Sequence, residues 1–495
     1  MIKHGRTYDY NQKLLSRDPM TIPTQLFING RFCDASSGKT ISLVNPANEE
    51  ILGHVAAADE RDVEAAVAGA QRAYENSWRD LAPGRRTEIL FRLAALLREH
   101  AEELAQLEML NIGKPISDAR DEVALGARIF EYYAGAVTKF CGQTIPVARG
   151  GFDFTIPQPL GVIAAIVPWN FPFPITCWKA APALATGNCA VVKPASLSPS
   201  TALRLGELGV EAGLPAGALQ VVPGPGGQAG EALVTHPLVR KISFTGSTAV
   251  GARIMELAAR TIKPVALELG GKSPNIVFAD ADVEKAATTS PMSVFANTGQ
   301  DCCARSRVFV ERAVFDQFVE RFAEATSQLR VGDPSQADTQ IGPMVSVQQR
   351  LLVEGYLQSA KTPRHKVLGG GDRLPGKGFY LRPAIVLGCE PDEKIWREEI
   401  FGPVVCIRPF DREEAMLAEV NASPYGLSGS LWTNDLRRAL RVAAKVESGV
   451  LSINSHSSVH VETPFGGFKQ SGFGRDHGMK AMESFTELKN VYVAA

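Results

Sequence analysis

The feature that most constrains the fold is a regular alternation of short apolar strands and helical segments that starts at residue 160. The patterns follow one another at residues 161–167 (strand), 176–186 (helix), 190–192 (strand), 200–212 (helix), 219–222 (strand) and 241–244 (strand). This alternation predicts an α/β fold with a parallel sheet, helices on both faces, and ligands at the carboxyl ends of the strands.

A second unit of the same kind follows Gly270 and Gly271, where the chain crosses over. Its strand patterns are residues 275–278, 306–310, 404–407 and 428–432. A chain of 495 residues exceeds one ordinary core. We therefore expect two doubly wound parallel-sheet domains. The first combines residues 1–140 with 160–270, and the second covers 271–472.

The part of the chain before residue 160 has its own patterns. Residues 1–24 are polar and predict a loosely attached arm, and residues 26–32 have the Asn-Gly signature of a hairpin. Long helical patterns cover residues 61–76, 86–110 and 117–140. Residues 141–159 predict a β-hairpin with an exposed edge, which needs a partner.

Charge and cysteine usage exclude several classes of protein. The net charge is −1 with both signs mixed, so neither nucleic acid nor a membrane surface is an expected partner. The eight cysteines show no Cys-x-x-Cys spacing, which argues against a zinc site and a disulfide framework. The N-terminus has no apolar signal core, and no apolar run approaches the roughly 20 residues of a membrane span. We expect a cytoplasmic protein without metal.

A possible nucleophile stands in the stretch from Gly299 to Ala304, which contains Cys302 and Cys303. A nucleophilic thiol needs a base to form the thiolate and donors to hold an oxyanion. Glu268, between two leucines, offers a buried carboxylate, and Asn170 offers an amide donor. The residues alone leave open which of the two cysteines reacts.

Two glycine turns compete for a phosphate group. Residues 224–229 match Gly-x-Gly-x-x-Ala after a strand, but that pattern is common in ordinary strand-to-helix turns. The turn at Gly246 and Ser247 opens a helical pattern at residues 249–260, whose N-terminus favours a pyrophosphate.

Five motifs together resemble the aldehyde dehydrogenase superfamily. They are Pro168-Trp-Asn-Phe-Pro172, Phe244-Thr-Gly-Ser247, Leu267-Glu-Leu-Gly-Gly-Lys272, Gly299-Gln-Asp-Cys302 and Glu399-Ile-Phe-Gly-Pro403. They occur in the family's order, over roughly residues 26–493. The resemblance implies a cofactor-binding domain, a catalytic domain, and an oligomerisation element made of residues 141–159 and 485–495. It implies a homo-oligomer, either dimer or tetramer.

The resemblance also assigns catalytic roles. The Gly-Gln-x-Cys register favours Cys302 as the nucleophile. The resemblance further implies Glu268 as the general base, and Asn170 with the Cys302 N–H as oxyanion donors. Lys179 and Asp476 match a lysine–acid pair that relays protons in some members, where the acid is usually glutamate. The implied reaction oxidises an aldehyde to a carboxylic acid. A cofactor-free thiol esterase and a non-catalytic scaffold are the rival classes.

The implied cofactor is NAD, with NADP admissible. Gly246 and Ser247 are expected nearest the phosphates, Lys193 at a ribose, and Glu399 with Phe401 at the nicotinamide. The full set of expected cofactor residues is Ile166, Trp169, Lys193, Ser196, Gly226, Phe244, Gly246, Ser247, Glu399 and Phe401. NADP is admissible because the family often has a ribose-binding glutamate where this chain has Ser196.

The expected substrate pocket is largely apolar. Its residues are Phe171, Ile175, Trp178, Phe295, Asp301, Cys303 and Phe465. Asp301 is the exception and resembles an acid of aminoaldehyde-oxidising relatives, so an ω-aminoaldehyde is one expected substrate. Alternatively Asp301 is hydrogen-bonded away from the pocket or paired with Arg305, and the enzyme acts on general aliphatic or aromatic aldehydes.

Overall fold

The computed structural model describes residues 22–494. The predicted arm, residues 1–24, therefore lies outside the described residues except for its last three positions. The α-helices are α1 (Glu60–Ala73), α2 (Pro83–Glu99), α3 (Ala101–Ile112), α4 (Ile116–Ala136), α5 (Pro172–Ala185), α6 (Ser200–Ala212), α7 (Glu231–Thr235), α8 (Thr248–Ala259), α9 (Val283–Phe295), α10 (Phe315–Ser327), α11 (Val347–Ser359), α12 (Lys394–Arg397), α13 (Glu413–Asn421), α14 (Leu436–Ala443) and α15 (Gly478–Ser484).

The strands alternate with these helices along most of the chain. They are β1 (Leu26–Ile28), β2 (Arg31–Cys33), β3 (Thr40–Val44), β4 (Ile51–Ala56), β5 (Thr144–Ile145), β6 (Phe152–Pro159), β7 (Val162–Ile166), β8 (Cys189–Lys193), β9 (Leu219–Val221), β10 (Val239–Thr245), β11 (Val265–Glu268), β12 (Pro274–Val277), β13 (Arg307–Glu311), β14 (Lys366–Gly369), β15 (Ala384–Leu387), β16 (Val404–Phe410), β17 (Tyr425–Gly426), β18 (Ser430–Trp432), β19 (Ser452–Ile453), β20 (Phe468–Lys469), β21 (Gly472–Phe473) and β22 (Thr486–Val493).

The first sheet has the order β2-β1-β9-β8-β7-β10-β11-β21. Its five inner strands, from β9 to β11, are parallel, and antiparallel strands close both edges. The β1–β2 hairpin turns at Asn29 and Gly30, which both have positive φ as such a turn requires. At the other edge β21 pairs Gly472 with Glu268, so a late segment of the chain borders the end of β11.

The second sheet has the order β14-β15-β16-β13-β12-β18-β19, and all its pairings are parallel except β14 with β15. Successive residues of a strand point to opposite faces. Accordingly Ile276 and Val277 on β12 enter two different apolar clusters, one on each side of the sheet. The α/β fold predicted from the alternation is confirmed.

A third sheet of three strands, β22-β6-β5, stands apart from the two large ones. The predicted hairpin at residues 141–159 forms here, and the C-terminal strand pairs with β6 from Thr486↔Pro159 to Val493↔Phe152. Phe152, Leu488 and Tyr492 on these strands are at least half exposed.

One helix predicted from the sequence is wrong in its extent. Residues 86–110 form two helices, α2 and α3, that meet at His100. His100 leaves the helical range of ψ, and its ring contacts Glu103 (Nδ1···Oε2 2.8 Å) and the Arg204 guanidinium. The apolar repeat continues across this break, so periodicity alone could not detect it. Within residues 22–494, no helix combines the length and apolar content needed to cross a bilayer.

Candidate active site

The segment that follows α9 presents the candidate nucleophile. Asn297, Thr298 and Gly299 all have positive φ (49°, 58° and 70°), a conformation that costs about 1 kcal/mol or more for each non-glycine residue. Hydrogen bonds hold it: Asn297 Nδ2 donates to the Asn170 carbonyl (2.9 Å) and Thr298 Oγ1 to the Gly342 carbonyl (2.9 Å). This tight turn sets the position of the residues that come directly after it.

Cys302 lies where two cavities meet. It is partly exposed and lines both a cavity bounded by the end of β10 and a second one bounded by α5. Cys303 is 4 % exposed and lines only the second cavity. A ligand in either cavity can therefore reach the Cys302 sulfur, whereas Cys303 faces one side only.

The surroundings of Cys302 keep its sulfur protonated. The hydrogen bond with Cys303 and then burial raise the pKa of the Cys302 thiol well above its usual value, and the Asp301 carboxylate adds to the effect. A nucleophilic reaction at this sulfur therefore needs a base that removes the proton.

Asn170 stands beside this thiol at the start of α5. Its side chain is buried, and Nδ2 donates to the Gln300 carbonyl (3.0 Å), two residues before Cys302. Its own carbonyl accepts from Lys114 Nζ (3.0 Å) and Asn297. Since an amide nitrogen carries two hydrogens, one N–H of Asn170 remains for a ligand in the cavity.

Glu268 ends β11 and is 5 % exposed. Among residues 22–494 neither of its carboxylate oxygens has a hydrogen-bond partner. Burial, and secondly the charge of Asp476, raise the pKa of Glu268 well above its usual range. A buried carboxyl group with a raised pKa and free oxygens is suited to proton transfer.

Lys179 and Asp476 form a buried ion pair. Lys179 Nζ lies 3.1 Å from Asp476 Oδ2 and also donates to Ser243 Oγ (3.1 Å), and both charged side chains are at most 5 % exposed. The structure thus brings together the lysine–acid pair expected from the sequence, although the acid is the shorter aspartate. Both charges act on the pKa of Glu268, in opposite directions.

The cavity on the β10 side of Cys302 continues along the carboxyl ends of the first sheet. Two adjoining chambers of about 280 and 430 Å³ share Trp169, Gly246 and Ser247 in their walls. Their walls include nine of the ten residues expected to bind a cofactor: Ile166, Trp169, Lys193, Gly226, Phe244, Gly246, Ser247, Glu399 and Phe401. The tenth, Ser196, is outside them and donates its hydroxyl to the Gly224 carbonyl (3.2 Å).

The chemistry of these walls fits a dinucleotide. Helix α8 starts right after Ser247, a residue of the chamber wall, so the N-terminus of this helix lies at that wall and favours a pyrophosphate there. Lys193 is buried and, among residues 22–494, donates only to the neighbouring Pro194 carbonyl (3.0 Å), which leaves hydrogens for ribose oxygens. Burial lowers its pKa to about 8.

The end of the chamber nearest Cys302 is formed by Glu399, Trp169 and Phe401. Glu399 Oε1 accepts the Gly271 N–H (2.9 Å), and burial raises the pKa of Glu399 to about 7. The Trp169 and Phe401 rings meet edge to face at 5.3 Å. An added Cβ at Gly270 would come within 2.3 Å of Glu399 Oε2, so a side chain at this position would displace the Glu399 carboxylate.

The cavity on the α5 side of Cys302 has a volume of about 590 Å³. Six of the seven residues expected in the substrate pocket line it: Phe171, Ile175, Trp178, Asp301, Cys303 and Phe465. The seventh, Phe295, does not; it is 0 % exposed and packs on Phe322 at 6.2 Å. Helix α9 turns Lys285, Thr289 and Met292 toward the cavity, and Phe295 falls on another side of that helix.

Asp301 faces this cavity without a salt bridge among residues 22–494. Its carboxylate accepts the Cys303 N–H (2.8 Å), and burial raises its pKa. The expected pairing with Arg305 is absent, because that guanidinium donates to the Cys303 carbonyl (2.6 Å), Ser430 Oγ (3.1 Å) and the His456 carbonyl (3.3 Å).

Several cavity residues escaped the sequence analysis because they belong to no motif. They are Glu122, Leu125, Met292, Trp432, His456 and Val459. Glu122 forms an ion pair with the buried Lys114, whose ammonium lies over the Phe171 ring (4.2 Å) and holds the Asn170 carbonyl. The position of Glu122 in the helical pattern of α4 could not predict this ion pair, since its partner Lys114 lies in the loop before that helix.

The known proteins that this chain resembles belong to one family. A sequence profile of the aldehyde dehydrogenase family matches residues 32–491. DhaS of Bacillus subtilis, a candidate aldehyde dehydrogenase by its name, is 42% identical over 471 residues, 95% of each chain. The NAD+ complex of an aldehyde dehydrogenase from Bacillus cereus is 41% identical with a TM-score of 0.93, covering 95% of this chain and 96% of that one.

A third relative is the indole-3-acetaldehyde dehydrogenase AldA of P. syringae, in complex with NAD+ and IAA. It is 39% identical with a TM-score of 0.94, covering 96% of this chain and 97% of that one. The matches span nearly the whole chain, including both large sheets and the two cavities at Cys302. The chain therefore belongs to the aldehyde dehydrogenase family and is an NAD(P)-dependent aldehyde dehydrogenase.

Proposed function

We propose that this enzyme oxidises an aldehyde to its carboxylic acid through a covalent bond to Cys302. The observation that carries the proposal is the position of this sulfur between the two cavities. The thiol loses its proton to a base, and the thiolate adds to the aldehyde carbon to give a thiohemiacetal. The chemistry that NAD supplies when bound is acceptance of a hydride, which turns the thiohemiacetal into a thioester.

The negative oxygen formed in the addition needs donors. We assign this role to the free N–H of Asn170 together with the Cys302 N–H. The bond from Asn170 Nδ2 to the Gln300 carbonyl supports the assignment, since it fixes the amide beside the thiol before substrate binds. Loss of one such donor typically costs about 2.7–4 kcal/mol in the barrier.

Hydrolysis of the thioester needs an activated water. We assign Glu268 as its base, because the carboxyl group is buried, has free oxygens and has a raised pKa. Water adds to the thioester carbon, its proton goes to Glu268, and the Cys302 thiolate leaves with the carboxylic acid as product. We further propose that Lys179 and Asp476 pass protons to and from Glu268.

We propose NAD as the cofactor of this chain. The B. cereus and P. syringae relatives were solved with NAD+. Two cations line the chamber near Gly226, and one of them, Arg253, is held by Glu231 (Nε–Oε1 3.1 Å). The other, Lys193, has no acidic partner among residues 22–494, and Ser196 does not repel a 2′-phosphate, so NADP is the second candidate cofactor.

Ser196→Glu is expected to raise the ratio of kcat/KM for NAD to that for NADP by roughly tenfold, because a carboxylate bonds both ribose hydroxyls and repels a 2′-phosphate. Leu197→Glu is the matched control, since it adds the same charge one residue away on a 39 % exposed side chain. Steady-state kinetics with both cofactors measures the ratio. An equal ratio in both variants would show that Ser196 does not face the ribose.

The walls of the 590 Å³ cavity favour an apolar, in particular aromatic, aldehyde. The Trp178 and Phe465 rings meet in a tilted arrangement with their centroids 5.8 Å apart, and Trp432 and Phe171 also line the cavity. Asp301 directly precedes Cys302, the residue that bonds to the aldehyde carbon. The ammonium of an ω-aminoaldehyde is at the other end of the substrate molecule from that carbon. The other acid, Glu122, is already paired with Lys114.

An ω-aminoaldehyde is the second candidate substrate. The observation in its favour is that Asp301 lines the cavity while Arg305 donates elsewhere. A partly desolvated pair between this carboxylate and an ammonium is worth about 1.5–3 kcal/mol, which is about tenfold or more in kcat/KM.

Asp301→Asn separates the two candidates. We expect the wild-type enzyme to oxidise phenylacetaldehyde and butanal better than 4-aminobutanal, and the variant to keep the ratio of butanal to 4-aminobutanal. We also expect alkylation of Cys302 by iodoacetamide to begin at lower pH in the variant, because the carboxylate that raises the thiol pKa is gone. Asp301→Glu is the charge-conserving control. A wild-type preference for 4-aminobutanal that disappears in Asp301→Asn would establish the aminoaldehyde instead.

We also propose that the enzyme is a homo-oligomer of the cytoplasm. Exposed apolar side chains on β6 and β22, including Phe152 (54 %) and Leu488 (70 %), support an interface on the three-stranded sheet. All eight cysteines are free thiols, which suits a reducing compartment.

A further inference from the structure

Three potential metal ligands converge in the second domain, away from Cys302. His365 precedes β14, Cys389 follows β15, and Glu393 precedes α12. Their ligand atoms, an imidazole nitrogen, a thiol sulfur and a carboxylate oxygen, all lie within 4.8 Å of one another. Two segments supply them, the turn between β15 and α12 and the residue before β14.

His365 points its Nε2 at the carboxylate of Glu393, 2.7 Å from Oε2, while its Nδ1 lies 3.0 Å from Thr362 Oγ1 and 3.1 Å from the Ala360 carbonyl. With the hydrogen on Nε2, the ring donates to Glu393 and Nδ1 accepts from the Thr362 hydroxyl. With the hydrogen on Nδ1, that nitrogen donates to the Ala360 carbonyl and the Nε2 lone pair faces Glu393, which is the form that binds a metal ion. A backbone carbonyl on the opposite ring nitrogen is the usual support of a metal-binding histidine.

The thiol side of the group offers a fourth ligand. Cys389 is 2 % exposed and is hydrogen-bonded to the thiol of Cys406, which is fully buried. Glu393 keeps 27 % of its side chain exposed, so an ion can enter from the solvent on that side. Arg364 lies 3.8 Å from the Glu393 carboxylate and is itself well exposed.

We propose that His365, Cys389 and Glu393 form a binding site for a zinc ion, with Cys406 or a water as the fourth ligand. Imidazole, thiolate and carboxylate are all zinc ligands, and tetrahedral binding at about 2.0–2.3 Å requires the His365 and Glu393 atoms to separate by roughly half an ångström. Cys389 gives its proton to solvent on binding, so with water as the fourth ligand one thiolate and one carboxylate balance the charge of the ion. With Cys406 as the fourth ligand, a second proton goes to solvent and the site has a net charge of about −1.

The ion would tie the Cys389–Glu393 turn to the start of β14. Helix α12 starts directly after Glu393 and leads within a few residues to Glu399 and Phe401. The site thus lies at the base of the segment that forms the chamber wall near Cys302, but it is distinct from the catalytic thiol.

Cobalt(II) reports the site, because thiolate ligation gives a charge-transfer band in the near ultraviolet. The reference protein is the reduced Cys302→Ser, Cys303→Ser variant, which removes the active-site thiols as a source of the band. We expect one cobalt per chain with this band, displaced by zinc. Cys389→Ser should abolish the band and His365→Gln should weaken binding at least tenfold, while Cys141→Ser, on an exposed cysteine elsewhere, should change neither.

Absence of the band in the reference protein, or its persistence in Cys389→Ser, would overturn the proposal. Should Cys389→Ser fail to fold, Glu393→Gln serves instead, since that side chain is partly exposed. It should weaken cobalt binding at least tenfold and remove the rise in Tm that zinc gives the reference protein. Unchanged cobalt affinity in Glu393→Gln would overturn the site equally.

Discussion

Replacing Cys302 by alanine is expected to abolish aldehyde oxidation while NAD still binds. The thiolate forms the covalent bond on which both later steps depend, so kcat/KM should fall by at least about 10³-fold. The cofactor chambers keep Gly246, Ser247 and Lys193 in the variant. NADH absorbance measures the loss of turnover, and calorimetric titration measures the retained binding of NAD.

Cys303→Ala is the matched control for that experiment. Cys303 has the same functional group and lines the substrate cavity, but it does not reach the chambers at the end of β10. It should keep most of the activity. Its loss should also ease ionisation of Cys302, because the hydrogen bond between the two thiols raises the Cys302 pKa. If Cys303→Ala were inactive and Cys302→Ala active, the assignment of the nucleophile would be reversed.

The sequence could predict the parts of the site that lie at strand ends. Glu268 ends β11, and Phe244 lies near the end of β10, where the parallel register places both at one edge of the sheet. Alternation of strands and helices predicts that edge, and the motifs predict which side chains occupy it. Asn170 follows β7 and Glu268 ends β11, so both reach this edge for that reason, whereas the turn after α9 brings Cys302 to the site.

The sequence could not predict parts of the site that depend on packing between elements. Phe295 adjoins the Cys302 loop in sequence, yet the rotation of α9 turns it into the core against Phe322. Glu122 and His456 reach the substrate cavity from α4 and from the loop after β19. Their approach depends on how the two domains meet, and local patterns carry no information on that arrangement.

The expected ion pair between Asp301 and Arg305 shows the same limit of prediction from the sequence. Opposite charges four residues apart predict an ion pair. In the structure Arg305 instead caps the Cys303 carbonyl and contacts Ser430 and the His456 carbonyl, which come from β18 and from the loop after β19. The Arg305 guanidinium therefore donates to these acceptors and not to the neighbouring carboxylate, and Asp301 faces the cavity.

Glu268→Gln is expected to form the thioester and then stall. Glutamine has nearly the same shape but cannot take a proton from water, so hydrolysis loses its base while the thiol and the oxyanion donors stay in place. Mixing enzyme, NAD and aldehyde should give a burst of NADH approaching one equivalent per active site, followed by turnover slower by about 10²–10⁴-fold. Stopped-flow absorbance resolves the two phases, and mass spectrometry detects the acyl group on Cys302. Full steady-state turnover in the variant would remove Glu268 from the mechanism.

Turnover with added hydroxylamine and the pH dependence of hydrolysis test whether Glu268 acts as a base. Hydroxylamine attacks a thioester without help from a carboxylate, so it should restore turnover in Glu268→Gln and have little effect on the wild-type enzyme. In the wild type, hydrolysis should speed up as pH rises through the raised pKa of Glu268 and then level off, because only the ionised carboxylate accepts the proton. In the variant the residual rate should keep rising with hydroxide concentration and show no plateau. A plateau at the same pH in both proteins would mean that another group, such as the Lys179–Asp476 pair, provides the base.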